Sequence, residues 1–262
     1  MTKKYLMGEM TWPELKEAVA ESRIAVVPVG CVEQHSHHLP LNTDIYVVDE
    51  ICKRAGALVP EHAVIVPAIA HGHSPHHMDF PGTVTIDPRH MLDYVLDVCL
   101  SLSHHGFRKI LLVNGHGSNA PVLDLAARQT IIRTEGRTAC ATMFHMDSHD
   151  FVKVATEEFP DLVGKWGHAD AIETSFYLAL RPELVQMDKI YDDPPTGLMN
   201  LGSAVLPLRL HWSTLSSKGV YGINTGASRE KGLKLVEAAV IGLSKVFTEF
   251  YHKQIPERVD HH

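Results

Sequence analysis

The stretch Ile24-Ala25-Val26-Val27-Pro28-Val29-Gly30 is an apolar, β-branched run that ends at a glycine, and it predicts a buried β-strand. It is followed by Glu33-Gln34-His35-Ser36-His37-His38 and, a few residues later, by Asp44. These polar residues therefore lie past the end of a strand, which is where open α/β sheets place their ligand sites. Imidazoles and carboxylates together suit Zn²⁺, Mn²⁺ or Fe²⁺. The stretch predicts a metal site, and we expect a metallohydrolase to use it.

The same arrangement recurs later in the chain. Residues 109–113 form another short apolar run that predicts a strand, and Asn114-Gly115-His116-Gly117-Ser118-Asn119 follows it. The two glycines would allow a tight turn and a close approach of the backbone to a ligand. We expect Asn119 to cap a helix over residues 121–134.

A third polar segment, Gly167-His168-Ala169-Asp170-Ala171-Ile172-Glu173, leads into an apolar run over residues 176–180. We expect His168 and Asp170 in a loop and Glu173 in the first turn of a helix. Asp170 either orients His168 or caps that helix, and the sequence leaves both open.

Length and composition limit the function classes. The chain has 262 residues, of which 45% are hydrophobic, and this is enough for one α/β domain spanning residues 1–262. A net charge of −7 does not favour a nucleic-acid partner. No apolar run reaches the ~18 residues of a membrane helix, and the first residues lack the apolar stretch of a secretory signal.

The cysteines indicate the compartment. The four of them, Cys31, Cys52, Cys99 and Cys140, show no CxxC spacing, which is typical of the reduced thiols of a cytoplasmic protein. Cys31 is close enough in sequence to the polar stretch to be a candidate soft metal ligand.

Strand and helix patterns alternate along the chain, which predicts a largely parallel sheet with helices on both faces. The predicted strands cover residues 24–29, 63–67, 109–113 and 138–143. The predicted helices begin at Thr11-Trp12-Pro13-Glu14, at Asp44 (to about 53), at Asp87-Pro88 (to about 105), at 121 (to 134) and at Ser228 (to about 251). The last helix should bury one face, made of Leu233, Val236, Ala239, Val240 and Leu243.

Residues 182–220 lack these periodic patterns. A loop of this length is usually functional or an oligomer contact. The sequence does not show whether it would shape the pocket of its own chain or that of a neighbour.

Taken together, several motifs resemble those of the creatininase (creatinine amidohydrolase) family and occur in its order. They are Glu33-Gln34-His35 with Asp44, Phe80-Pro81-Gly82-Thr83, Asn114-Gly115-His116-Gly117 and Ile172-Glu173-Thr174-Ser175. The resemblance implies a three-layer α/β/α sandwich with a mostly parallel central sheet, and a homo-oligomer, often a hexamer. It also implies two divalent metal ions that activate a water to hydrolyse a C–N bond in a small amide, cyclic amide or formamide.

The resemblance also implies roles for individual residues. It makes Asp44 a bridging ligand and Glu173 the residue that completes the second metal position, with the other ligands being Glu33, His35 and His116. His168 matches a histidine that acts near the leaving nitrogen in creatininase, so we expect it to be the catalytic proton donor. The candidate substrate-binding residues are His77, Gly117, Ser118 and Trp166.

The chain departs from creatininase at two positions. Creatininase itself has a glutamate where this chain has Ser118, and another where this chain has Gly167. The metal ligands are therefore kept while the groups around creatinine are not, so we do not expect creatinine as the substrate. The family also contains a formylamino-pyrimidine deformylase and a peptidase that trims a peptide cofactor precursor. The Gly115-His116-Gly117 turn resembles those two branches more than creatininase itself, but it does not distinguish the deformylase from the peptidase.

Two other functions fit the same residues. The departures at Ser118 and Gly167 also suit a catalytically silent, metal-binding scaffold or regulatory protein. A metal-dependent isomerase or lyase could use the same ions, because a fold does not fix a reaction. The sequence leaves both alternatives open, along with the choice among Zn, Mn and Fe.

Overall fold

A four-stranded parallel sheet lies at the centre of the chain. The computed structural model describes residues 3–162, 167–194, 200–201, 204–207 and 209–262. The sheet has the order β2-β1-β3-β4 and consists of β1 (Ile24–Val29), β2 (Ala63–Ile65), β3 (Lys109–Asn114) and β4 (Ala139–Phe144). A separate antiparallel pair joins β5 (Asn200–Leu201) to β6 (Ala204–Pro207).

The described residues also form α1 (Trp12–Ala20), α2 (Thr43–Leu58), α3 (Pro88–His104), α4 (Ala120–Arg133), α5 (His149–Glu158), α6 (Ala171–Leu180), α7 (Trp212–Leu215) and α8 (Arg229–His252). None of these helices combines the length and apolar composition that crossing a membrane requires.

Helices cover both faces of the sheet. Val26, Leu111 and Val113 pack in one core with α2, α5, α6 and α8. Val27 and Leu112 point the other way, into a second core with α3 and α4. Because both faces are covered, the strands are apolar along their length instead of alternating with polar residues. The predicted α/β/α sandwich with a mostly parallel sheet is confirmed.

Three of the predicted helix starts are confirmed by capping hydrogen bonds. The Thr11 backbone N–H donates to Glu14 Oε2 at 2.7 Å, which forms half of a capping box. Asp87 Oδ1 accepts from the Arg89 backbone N–H at 2.9 Å. Ser228 Oγ accepts from the Lys231 backbone N–H at 3.2 Å. Each of these caps is encoded within a few residues of sequence, so local reasoning could find it.

Two details of the prediction were wrong. Asn119 stands at the N-cap position of α4 but makes no capping bond. Its side chain instead donates to the Gly30 carbonyl at 3.0 Å and accepts from the His73 backbone N–H at 2.9 Å, so it joins two loops. Leu233 is 44% exposed. The buried face of α8 runs through Gly232, which lies against the Ser175 carbonyl of α6 and turns Leu233 outward.

Element lengths also differ from the prediction. The second helix continues to Leu58 because Ile51, Cys52 and Ala55 extend its buried face. The second strand ends at Ile65. Pro67, which has no N–H to donate, follows it closely. The 182–220 region is not uniformly irregular, since its described part includes 3₁₀ turns, β5, β6 and α7.

Two glycines at strand ends position α2. A Cβ on Gly30, just after β1, would lie 2.4 Å from Ile45 Cα. A Cβ on Gly115, just after β3, would lie 2.8 Å from the Asp44 carbonyl oxygen. The first turn of α2 therefore packs directly on the backbone at both strand ends, and this places Asp44 between them.

We predict that Gly30→Ala destabilises the protein, because the new methyl group would have to displace the α2 backbone. The expected loss in free energy of unfolding is ~1–3 kcal/mol, measured by urea unfolding of the metal-free protein. Gly117→Ala is the matched control, since a Cβ there meets nothing within 4 Å. Equal stability of the two variants would contradict the close approach.

Candidate metal centre

The three polar segments predicted from sequence meet at the carboxyl edge of the sheet. Glu33 and His35 lie in the loop after β1, Asp44 in the first turn of α2, His116 after β3 and Glu173 in the first turn of α6. Glu33 and His35 are 0% exposed, and Asp44 is 5% exposed. No lysine or arginine among the described residues pairs with these carboxylates; their ionic partners are histidines. Buried acids of this kind need a compensating positive charge.

The hydrogen bonds of Ser74 orient the ring of His116. Ser74 Oγ donates its proton to Glu33 Oε2, so it is free to accept one from His116 Nε2 at 3.0 Å. His116 Nδ1 then faces Glu33 Oε1, 3.2 Å away, and Asp44 Oδ2, 3.1 Å away, and it carries a lone pair whenever the ring is neutral. Three lone pairs thus face one another, which is the arrangement a bound cation requires.

A second group of the same kind surrounds His35. Its Nδ1 donates to the Glu33 backbone carbonyl at 3.3 Å, which leaves the Nε2 lone pair directed at carboxylates. Nε2 lies 3.1 Å from Asp44 Oδ1 and 3.6 Å from Glu173 Oε2. Asp44 therefore directs one oxygen to each histidine.

Several atoms of these two groups have no hydrogen-bond partner. Glu33 Oε1, His35 Nε2 and Asp44 Oδ2 are buried and unsatisfied. Most buried polar atoms in proteins are paired, so an unpaired set at one place requires an explanation. The donors are nitrogen and carboxylate oxygen, which Zn²⁺ and Mn²⁺ accept. The residues present therefore fit bound divalent cations, and Asp44 faces both groups.

Proton affinities at the cluster lead to the same conclusion. Burial alone would lower the pKa of His35, but the carboxylates of Asp44 and Glu173 raise it to about 10. The pKa of His116 is raised well above its usual value by Glu33 and Asp44, against the effect of burial. Burial raises the pKa of Glu173 to about 8. Without a cation the cluster retains protons, and a cation would replace them.

Asp170 caps α6, which settles the alternative that the sequence left open. Its Oδ1 accepts from the backbone N–H of Ile172 at 2.9 Å and of Glu173 at 3.2 Å, and its Oδ2 accepts from the Gly167 N–H at 3.0 Å. Glu173 is in the first helical turn as predicted, and its Oε2 accepts from the Ala169 N–H at 2.6 Å. The cap thus holds the carboxylate of Glu173 toward His35.

His168 is brought to the cluster, as expected of a catalytic residue. Its Nε2 donates to the Gln34 backbone carbonyl at 2.7 Å. The remaining ring nitrogen, Nδ1, lies 3.6 Å from Glu33 Oε1 and presents a lone pair to the cluster. Burial, followed by the nearby charge of His35, lowers the pKa of His168 to about 3. The resting ring is therefore neutral and must take up a proton before it can donate one.

Gln34 is a residue of this site that sequence reasoning missed. Its side-chain amide donates to His77 Nδ1 at 2.9 Å and to the Gly219 carbonyl at 3.1 Å. His77 consequently carries its proton on Nε2, which lies 3.6 Å from Glu33 Oε1. The only signal in the sequence was the position of Gln34 between two candidate ligands.

A cavity of about 930 Å³ opens onto the cluster, and Gly117 and Ser118 line it. Trp166 lies outside the described residues. Another tryptophan, Trp212 of α7, lines the cavity, and its ring is stacked 4.7 Å from that of His77. Nothing in the pattern around Trp212 marked it in advance, because it comes from the segment that lacked periodic signals.

Cys31 lies within reach of the same cluster. Its Sγ is 2.8 Å from Ser74 Oγ. Burial raises the pKa of Cys31 to about 12, so it is a thiol that donates to Ser74. Its contact is with the hydroxyl that orients His116.

Comparison with known proteins places the chain in a family. The creatininase (creatinine amidohydrolase) family model matches residues 8–247. The chain is 31% identical to the creatinine amidohydrolase of Pseudomonas putida, over 95% of this chain and 98% of that protein. It is 30% identical to the mycofactocin precursor peptide peptidase of Mycolicibacterium smegmatis, over 84% and 82% of the respective chains. The 3-dehydro-scyllo-inosose hydrolase of Thermotoga maritima is 27% identical over 93% of this chain and 83% of that protein.

Solved creatininase structures share the fold. A manganese form has a TM-score of 0.83 at 28% identity and covers 96% of this chain and 100% of that one. A Zn–Zn form of a creatininase mutant also has a TM-score of 0.83, at 27% identity and with the same coverage. The predictions of a creatininase-like fold, of a hydrolase and of bound divalent metal are confirmed. The fold, the cluster of donors and the match to these relatives lead to one conclusion: the chain belongs to the creatininase (creatinine amidohydrolase) family of metal-dependent amidohydrolases.

Proposed function

We propose that this chain is a two-metal amidohydrolase that cleaves a C–N bond in a small amide, cyclic amide or formamide. One divalent ion would be held by Glu33, Asp44 and His116. The other would be held by His35, Asp44 and Glu173. The observation that carries the proposal is the carboxylate of Asp44, whose two oxygens each lie 3.1 Å from a ring nitrogen of a different histidine.

When bound, divalent ions held by these residues would supply the Lewis acidity that activates water and polarises an amide carbonyl. His168 directs Nδ1 at the cluster and keeps its other nitrogen on the Gln34 carbonyl. It is thus placed to take a proton from the attacking water and to return it to the leaving nitrogen. The Gln34 carbonyl would stabilise the imidazolium that forms between these two transfers, because the Nε2–H bond to it becomes charge-assisted.

The cavity supports a substrate other than creatinine. Ser118 carries a neutral hydroxyl at the position where the resemblance to creatininase implies a carboxylate, and its Oγ lies 3.2 Å from His76 Nε2. The cavity volume of about 930 Å³ is near the upper end of the ~300–1,000 Å³ typical of ligand pockets, which is more than one small ring fills.

We further propose a single catalytic unit over residues 1–262 that forms a homo-oligomer, with a hexamer as the expected form, in the cytoplasm. The family match over residues 8–247 supports one unit. Exposed apolar side chains such as Trp12 (77%) and Ile132 (64%) would be available for contacts between copies. The four free cysteines support a reducing compartment.

We predict about two divalent ions per chain in protein purified without chelator, because two groups of opposed lone pairs need compensation. Asp44→Ala should reduce the content to one ion or none, measured by elemental analysis. Asp49→Ala, on the same helix but ion-paired with Lys53 at 2.5 Å, should retain the full content. A wild-type protein that holds no metal and takes none up would refute the proposed centre.

We predict that His168→Gln lowers kcat for a cleaved amide ~10²–10⁴-fold, the usual contribution of a positioned general acid–base group. Its metal content should be unchanged, because His168 is not one of the proposed ligands. His90→Gln, an exposed histidine of α3, serves as the control and should retain the wild-type rate.

A panel of formamides, cyclic amides and short peptides would supply the substrate for this test. Product formed in ¹⁸O-labelled water should carry the label in its new carboxylate. A product without label would favour the isomerase or lyase alternative. A His168→Gln variant that is as fast as the wild type would contradict the proposed role of His168 in proton transfer.

A further inference from the structure

The cavity wall carries a positive charge that the proposed metal centre does not use. Arg209 lines the same cavity as Glu33 and Asp44, and its side chain is exposed. His76 lines this cavity too, and its ring lies 6.1 Å from the ring of His116. Arg209 and His76 therefore border the same cavity as the proposed metal ligands.

Arg209 has no acidic partner within the part of the chain that the structure describes. Apart from the carboxylates of the centre, the acid among the described lining residues is Asp147. Asp147 Oδ2 accepts from the Phe144 backbone N–H at 3.0 Å, which closes the turn after β4. The guanidinium is thus left without a counter-charge in a cavity that a substrate would fill.

The rest of the wall indicates what would satisfy this charge. Pro75, Pro121, Leu123, Leu210 and Trp212 make much of it apolar. A substrate filling this space would remove water from the guanidinium, which then needs a hydrogen-bond acceptor. A planar guanidinium matches the two oxygens of a carboxylate. Two bound divalent ions would also outweigh the three carboxylates around them, so the loaded cavity attracts anions.

We propose that Arg209 is a specificity-determining residue that binds a carboxylate of the substrate, at a distance from the bond that is cleaved. The substrate would then be an amide that carries a free carboxylate. This inference rests on the proposed amidohydrolase function. An N-acyl amino acid and the C-terminal end of a short peptide share this chemistry, and the test separates them.

The test uses two pairs of probes with the metal-loaded protein. One pair is N-acetylphenylalanine and its carboxamide, and the other is the tripeptide Ala-Ala-Phe with a free or an amidated C-terminus. Calorimetric titration should show the free carboxylate of the preferred pair binding ~10–100-fold more tightly, the range of a hydrogen bond to a charged group. The pair with the larger ratio identifies the source of the carboxylate.

Variants assign this preference to one side chain. Arg209→Met should reduce the ratio to about one while metal content stays at the wild-type value. Arg209→Lys should retain part of the ratio, because the charge remains while the fork geometry is lost. Arg229→Met, at the exposed start of α8, should retain all of it.

Two results would overturn the inference. Equal binding of both members of each pair to the wild type is one of them. The second such result is an Arg209→Met variant that still binds the free carboxylate more tightly than the amide, since the metal ions would then be holding the carboxylate. If the wild type binds metal and cleaves the probes without preferring the carboxylate, only this inference fails. If it binds no metal, the proposed function fails with it.

Discussion

The carboxylate of Asp44 is the constraint on which the rest of the site depends. Its two oxygens lie 3.1 Å from His35 Nε2 and 3.1 Å from His116 Nδ1. Both contacts require the first turn of α2 to lie against the ends of β1 and β3, which only the missing side chains at Gly30 and Gly115 permit. Close backbone packing at the carboxyl ends of β1 and β3 is therefore what brings together the proposed metal ligands.

The surrounding polar groups share one effect: they turn lone pairs and carboxylates toward the candidate metal centre without supplying a positive charge to balance them. Ser74 and the Glu33 carbonyl occupy the outward nitrogens of the two histidines and turn their lone pairs inward. Asp170 caps α6 and fixes Glu173 beside them. A buried set of acids and lone pairs of this kind would be unstable in an apolar interior unless cations or protons filled it. Metal binding is thus built into the hydrogen bonding of the fold.

Local features of the sequence were sufficient to predict most elements and to bring the candidate ligands together. The strand Ile24–Val29 and the Thr11 and Ser228 caps depend on neighbours within a few residues. The ends of parallel strands converge at one edge, so polar residues after β1 and β3 were expected to meet. Gln34, Ser74, Trp212 and Arg209 were missed because their importance comes from contacts across the fold. Asn119 was misassigned for the same reason: its side chain bonds to Gly30 and His73 instead of its own helix.

The sharing of Asp44 by two metal ions can be tested by anomalous X-ray diffraction from crystals of the metal-loaded protein, recorded on both sides of the absorption edge of the bound metal. We expect two anomalous peaks per chain, one on each side of the Asp44 carboxylate. One peak would be bordered by Glu33 and His116, and the other by His35 and Glu173. A single peak away from Asp44, or no peak in a crystal soaked with zinc or manganese, would contradict the claim that this carboxylate is shared by two ions.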